Sequence, residues 1–180
     1  MGNKCIIVMV GPSGSGKTTV GESLSRNGIP KLVTTTTREP RLGEQEGIDY
    51  HFRKVEELDP SDFIEQTVYN NKVYGLTKQE VSDALREHDV VHVSLDRHGA
   101  KAMKRSFPRE TVVVFIYISK EMMAERMRKR GDSEEKIYER LCHSEANDEL
   151  APPEDTDLII ENISIQETVD QILSHLTQTN

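Results

Sequence analysis

The chain has 180 residues, with 23 Lys and Arg against 31 Asp and Glu, a formal net charge of −8. That length suits one core with small attached subdomains, and the acid excess argues against a general nucleic-acid binder while leaving room for a local cationic cluster to hold a small anion. Two distant cysteines, Cys5 and Cys142, do not make a disulfide framework, and no apolar run approaches the ~20 residues of a membrane helix. The expected setting is the reducing cytoplasm, with no membrane partner.

In chain order, Cys5–Val10 reads as a continuous apolar strand. It runs into a Gly-rich loop and then a helix from Lys17 to about Arg26, stopped by Asn27-Gly28. From about Lys31 to Tyr74 the texture is polar, Thr-rich and hairpin-like, which predicts a small β-rich insertion beside the main sheet. Thr77 with Glu80 forms a capping box for a helix towards Glu87. Val90–Val93 is a second buried strand, followed by a helix around Gly99–Ser106, and Thr111–Ile118 is a third strand. Met122, Met123 and Met127 read as helix packing. Asp132 with Glu135 opens a helix towards Asn147, and Leu158–Ile160 is a fourth strand. Ser164 with Glu167 opens the last helix, with Val169, Ile172, Leu173 and Leu176 on one face. Strands apolar on both faces and separated by helices predict an α/β fold with a parallel sheet covered on both sides.

Gly11-Pro12-Ser13-Gly14-Ser15-Gly16-Lys17-Thr18 fits G-x-x-x-x-G-K-[ST] in full, between a predicted strand and a predicted helix. Glycines let backbone N–H groups turn inward around phosphate oxygens, and the helix N-terminus adds partial positive charge. Lys17 is expected to reach the β- and γ-phosphates and the Thr18 hydroxyl to ligate Mg²⁺. The triphosphate-binding set is therefore Gly11, Ser13, Gly14, Ser15, Gly16, Lys17, Thr18 and Thr19. This predicts a nucleoside triphosphate site but not which reaction it serves.

A second anion site is predicted at Thr34-Thr35-Thr36-Thr37-Arg38-Glu39-Pro40-Arg41, followed by Gly43-Glu44 and Gly47-Ile48-Asp49-Tyr50-His51-Phe52. Two guanidinium forks among hydroxyls suit phosphate oxygens. Here the chain resembles the guanylate kinase family: T-T-R-x-P-R-x-G-E and then G-x-D-Y-x-F are similar to its GMP-binding signature. Phe63-Ile64-Glu65 with Val73-Tyr74-Gly75, then Leu95 to Ala100, then Arg126 to Arg140, resemble its later segments, in order from Ile6 to about Asn162.

The resemblance implies a P-loop NTPase core over about 1–30, 85–125 and 150–180, a GMP-binding subdomain over about 31–84 and a short helical lid over about 126–149. It implies that Arg38, Arg41, Tyr50 and Tyr74 hold the GMP phosphate, that Glu65 and Asp96 face guanine, and that Thr34 lies nearby. It assigns Arg126, Arg130 and Arg140 to the ATP phosphates and Asn162 to adenine. The implied reaction moves the ATP γ-phosphoryl group to GMP with Mg²⁺, giving ADP and GDP, with Lys17, Arg38, Arg126, Arg130 and Arg140 as the catalytic set and a monomer or homodimer as the state. The chemistry is consistent with this. Guanine presents two donors on one edge and an ionised Glu65 is acceptor-only, and an acceptor that is already a phosphate oxygen needs no general base. Catalysis would rest on positioning and water exclusion.

Two departures stand out. Ser94 occupies the place of the family's first acid in D-x-D, which predicts weaker Mg²⁺ organisation. Leu76 stands where a hydroxyl is usual, which predicts a GMP penalty of order 1 kcal/mol. His98 replaces the usual Gln and reads as an ordinary polar residue at a helix start. These departures keep two alternatives open: a guanylate-kinase-like binding module with weakened catalysis, and a kinase for another nucleoside or sugar monophosphate.

Overall fold

The computed structural model describes residues 4–12, 14–146 and 150–178. β1 (Cys5–Val10) is the second strand of a four-stranded sheet that also contains β6 (Val90–Ser94), β7 (Thr111–Tyr117) and β8 (Leu158–Glu161). The order is β6-β1-β7-β8 and every pairing is parallel. The side-chain alternation of a strand explains why β1 is apolar throughout. Ile6, Val8 and Val10 enter one buried cluster with Val91, Val93, Met103 and Phe115. Ile7 and Met9 enter another, on the opposite face, with Leu24, Ile116, Ile160 and Ile172.

Helices cover both faces. α1 (Lys17–Arg26) and α6 (Ile165–Gln178) lie over the Ile7 side, and α2 (Lys78–Glu87) and α3 (Arg97–Ser106) over the Ile6 side. Asn27 and Gly28 end α1 as expected, with the Asn27 N–H bonding the Ser23 and Leu24 carbonyls and Gly28 at φ 83°. α4 (Lys120–Lys129) and α5 (Glu134–Ala146) make a third, smaller cluster from Ile118, Met123, Met127 and Ile137. The methionines are packing residues there.

The inserted segment forms a second sheet of order β3-β2-β5-β4, from β2 (Thr35–Thr36), β3 (His51–Phe52), β4 (Phe63–Tyr69) and β5 (Lys72–Thr77). β4 and β5 make an antiparallel hairpin turned at Asn70 and Asn71, with φ of 48° and 58°. Asparagine tolerates that left-handed geometry better than most residues, which suits a tight hairpin.

Local capping differs from expectation in two places. Thr77 accepts the Glu80 N–H at 3.2 Å, but the Glu80 carboxylate does not return to it. It takes the Val33 N–H at 2.7 Å and contacts His51 Nε2 at 2.8 Å, tying α2 to the second sheet. At α5 the capping hydroxyl is Ser133, whose Oγ faces the Lys136 N–H, while Asp132 pairs with Arg130 at 3.3 Å. The expected end of this helix near Asn147 lies outside the described residues.

Candidate active site

The phosphate loop leaves the C-terminal end of β1, the edge of a parallel sheet at which α/β folds bind ligands. Two glycines fix its path. A Cβ on Gly11 would fall 1.9 Å from the Ile116 carbonyl oxygen, so only glycine lets the loop cross β7 there. Gly16 adopts φ 95°, and a Cβ on it would meet Asn162 Nδ2 at 2.3 Å. The N-cap of α1 is Gly16, which has no side chain to cap the helix, so the helix start faces the loop with its partial positive charge. Lys17 Nζ folds over the loop, donating to the Gly11 carbonyl at 2.5 Å and the Pro12 carbonyl at 2.9 Å. Gly14, Thr18 and Thr19 are exposed, Ser15 is buried, and Ser13 lies outside the described residues.

Arg126 stands beside this loop from α4. Its Nη2 donates to the Asn162 carbonyl at 2.8 Å, and its Nη1 lies 3.7 Å from where a Gly16 Cβ would be. Arg130 and half-buried Arg140 line a cavity of about 510 Å³ that reaches Gly14. Asn162 is bound into the loop itself. It is fully buried, its Nδ2 bonds the Ser15 carbonyl at 2.7 Å and its Oδ1 accepts the Thr168 hydroxyl at 2.9 Å. An amide engaged inside the protein at both ends clamps the loop to α6.

On the second sheet, Arg38 and Glu44 form an ion pair of 2.8 Å with both side chains mostly covered. The other Glu44 oxygen takes the Arg41 N–H at 2.8 Å, so one carboxylate sets both arginine positions. The Arg38 guanidinium lies 5.4 Å from the Tyr50 ring centre, and Tyr50 meets Tyr74 edge-on at 6.1 Å. Glu44, with help from Tyr74, holds the Arg38 guanidinium above its ordinary pKa, and Arg38 in turn holds Glu44 below the usual carboxylate range. Arg41 is exposed and Thr34 half-buried, the latter's carbonyl accepting the His51 N–H at 2.9 Å.

Two carboxylates converge near the start of α3. Asp96 Oδ1 accepts the Gly99 N–H at 2.7 Å as the helix cap. A Cβ on Gly99 would lie 3.4 Å from both Asp96 Oδ1 and Glu65 Cγ, so this glycine makes room for the pair. The Glu65 carboxylate takes the Leu76 N–H. Burial pushes its pKa up, and the charge of Asp96 adds to the rise. Leu76 itself is fully buried among Ile64, Val81 and Leu85, so the apolar residue here has a packing role. Ser94 is exposed at the end of β6, opposite Met9 of β1. The Glu44–Arg38 pair, the contacts of Glu80 with Val33 and His51, and the Asn162 clamp were not anticipated from the sequence. Glu44 carried a signal, standing three residues after Arg41 inside the arginine motif.

Sheet topology and loop together define a P-loop α/β protein with an added β lobe. The family profile described as guanylate kinase matches residues 3–179. The chain is 35% identical over 175 residues to the guanylate kinase of Fusobacterium nucleatum, covering 94% of each chain. It is 32% identical over 176 residues to that of Prochlorococcus marinus, covering 94% of this chain and 95% of the relative. The crystal structure of guanylate kinase from Anaplasma phagocytophilum superposes with a TM-score of 0.63 at 26% identity, over 98% of this chain and 86% of that one. The chain belongs to the guanylate kinase family, a family of ATP:GMP phosphotransferases.

Proposed function

We propose that this chain transfers the γ-phosphoryl group of ATP to GMP. The observation that carries this reading is the Arg38–Glu44–Tyr50–Tyr74 cluster on one lobe together with an uncapped helix N-terminus at the phosphate loop on the other. ATP binds along the loop from Gly11 to Thr19, with Lys17 Nζ leaving the Gly11 and Pro12 carbonyls for the β- and γ-phosphates. The GMP phosphate binds Arg38, Arg41 and the two tyrosine hydroxyls. Glu65 receives the N1–H and 2-amino donors of guanine, with Asp96 beside it and Thr34 nearby. Arg126, Arg130 and Arg140 meet the charge that spreads over the moving phosphoryl group, which needs positive charge on both sides and no side-chain base.

The donors present fit a magnesium ion carried by ATP. Thr18 and Ser94 both expose hydroxyls, and Mg²⁺ commonly takes few protein ligands with phosphate oxygens and waters completing its shell. When bound there, the ion would supply positive charge to the phosphate oxygens of ATP. Among the described residues no group of three or more His, Cys, Asp or Glu forms a metal cluster, and no helix is long and apolar enough to cross a membrane. Action in the cytoplasm, as monomer or homodimer, belongs to the same reading.

A coupled ADP-release assay with GMP, AMP, CMP and UMP tests it. The expected result is GMP-dependent ADP formation with GMP strongly preferred. No GMP-dependent ADP at millimolar substrate overturns it.

A further inference from the structure

Asn162 follows β8 directly and uses all four of its polar atoms within the protein. Its N–H donates to the Tyr117 carbonyl at 2.8 Å, at the end of β7. Nδ2 donates to the Ser15 carbonyl at 2.7 Å inside the phosphate loop, and Oδ1 accepts from the Thr168 hydroxyl of α6 at 2.9 Å. Its carbonyl accepts from Arg126 Nη2 at 2.8 Å. Asn162, Ser15 and Thr168 are at most 1% exposed, so water does not compete for the two bonds of the side-chain amide. A carbonyl only accepts, so Ser15 fixes which end of the amide faces the loop, and the Thr168 hydroxyl then has to donate to the other end. The close fit around Gly16 has the same cause, because the space a Cβ would take is filled by Asn162 Nδ2 at 2.3 Å.

We propose that Asn162 is a positioning residue for phosphoryl transfer: through one buried amide and one carbonyl it holds the phosphate loop and Arg126 in a fixed relation before nucleotide arrives. Arg126 is then preset at the loop, whereas Arg130, exposed and paired with Asp132, is left to be recruited. A glycine-rich loop and a long arginine both lose conformational freedom on meeting phosphate, and a clamp made in advance lowers that cost. The inference rests on the phosphotransferase reading above.

Thr168→Val tests it, since it keeps side-chain size and removes the hydroxyl that anchors the amide, away from any nucleotide. Per folded molecule, kcat should fall about tenfold and the ATP KM should rise, because a small misplacement of reacting groups is costly in rate. The GMP KM should stay within about twofold, and Thr168→Ser should restore the ATP parameters. A lowered melting temperature with kcat and ATP KM within about twofold of the unsubstituted protein overturns the proposal, because a merely structural contact behaves that way. Should Thr168→Val not fold, the unsubstituted protein decides. The Asn162 side-chain amide protons, followed by NMR, should exchange slowly before any nucleotide is added, and fast exchange overturns the clamp. Absence of GMP-dependent ADP release by the unsubstituted protein faults the phosphotransferase reading instead, and the amide exchange still judges the clamp.

Discussion

Replacing Glu65 by Gln tests how the base is chosen. Glu65 is half-buried, accepts the Leu76 N–H and stands near Asp96. Its ionised carboxylate presents only acceptors to the two donors of guanine, whereas glutamine substitutes a donor for one of them. One charge-assisted hydrogen bond is lost and a donor then faces a donor. A bond to a charged group is worth about 1.5–3 kcal/mol, so a loss near the top of that range lowers kcat/KM for GMP about a hundredfold. Inosine monophosphate lacks the 2-amino donor and should lose less, so the preference for GMP over it should shrink. The same ADP-release assay reads both substrates. The acid side gives a second check. The raised pKa of Glu65 means that the ionised form is lost on acidification at a higher pH than for an exposed glutamate. The GMP KM should therefore climb as pH falls in the native chain and stay flatter in the variant. The folded state holds the Glu65 proton more tightly than the unfolded chain does, so this residue's contribution to stability declines as pH rises, and Glu65→Gln should not unfold the protein at neutral pH. A variant that keeps kcat/KM for GMP within about threefold refutes the reasoning, because a hydrogen bond of this kind is worth more than that.

Lys17→Ala should lower kcat by a factor on the order of a hundred to a thousand while GMP still binds, as judged by steady-state rates and a GMP titration. Ser94→Asp adds a charge at the end of β6 and should lower the Mg²⁺ concentration for half-maximal rate, so a higher requirement counts against the metal argument. His92 is 2% exposed, with Nε2 on the Ser25 hydroxyl, and burial pushes its pKa down to about 4. The unfolded chain therefore binds this proton first, and the stability held above the ordinary histidine pKa is lost as pH falls towards 4. Between neutrality and moderately acid pH that loss is about 2 kcal/mol, and urea unfolding should show a smaller acid loss in His92→Gln.

What the sequence made legible followed from strong local rules. β1 is apolar on both faces because both faces are buried, and a parallel sheet is the arrangement that demands it. The phosphate loop was readable because glycine spacing is a backbone requirement. The side-chain network was less legible, because it joins residues distant in the chain. Asn162 and Ser15 lie 147 positions apart, and nothing near either one announces the other. Glu80 followed the capping-box pattern, yet its carboxylate found better partners in Val33 and His51 once the second sheet had docked. At α5 the competition was between adjacent residues. Asp132 was drawn to Arg130, and Ser133 was left to face the first turn.

Arg126 and Arg38 are held in two different ways, and under the proposed reading the difference bears on how the substrates bind. Arg126 is held by a neutral carbonyl, whereas Arg38 is held by the Glu44 carboxylate. A carbonyl fixes a guanidinium without cancelling its charge, so an arriving phosphate meets that charge at nearly full strength. A carboxylate fixes it too, but a phosphate at Arg38 must share the guanidinium with Glu44 or displace it. Of these two arginines, the uncancelled one lies beside the phosphate loop, where the proposed triphosphate brings more negative charge. The attenuated one lies where the proposed monophosphate brings less. Under the proposed reading, a GMP phosphate that shares Arg38 with Glu44 leaves as GDP more readily than one held by an unpaired guanidinium, because the charge it gains is not met by an uncompensated cation.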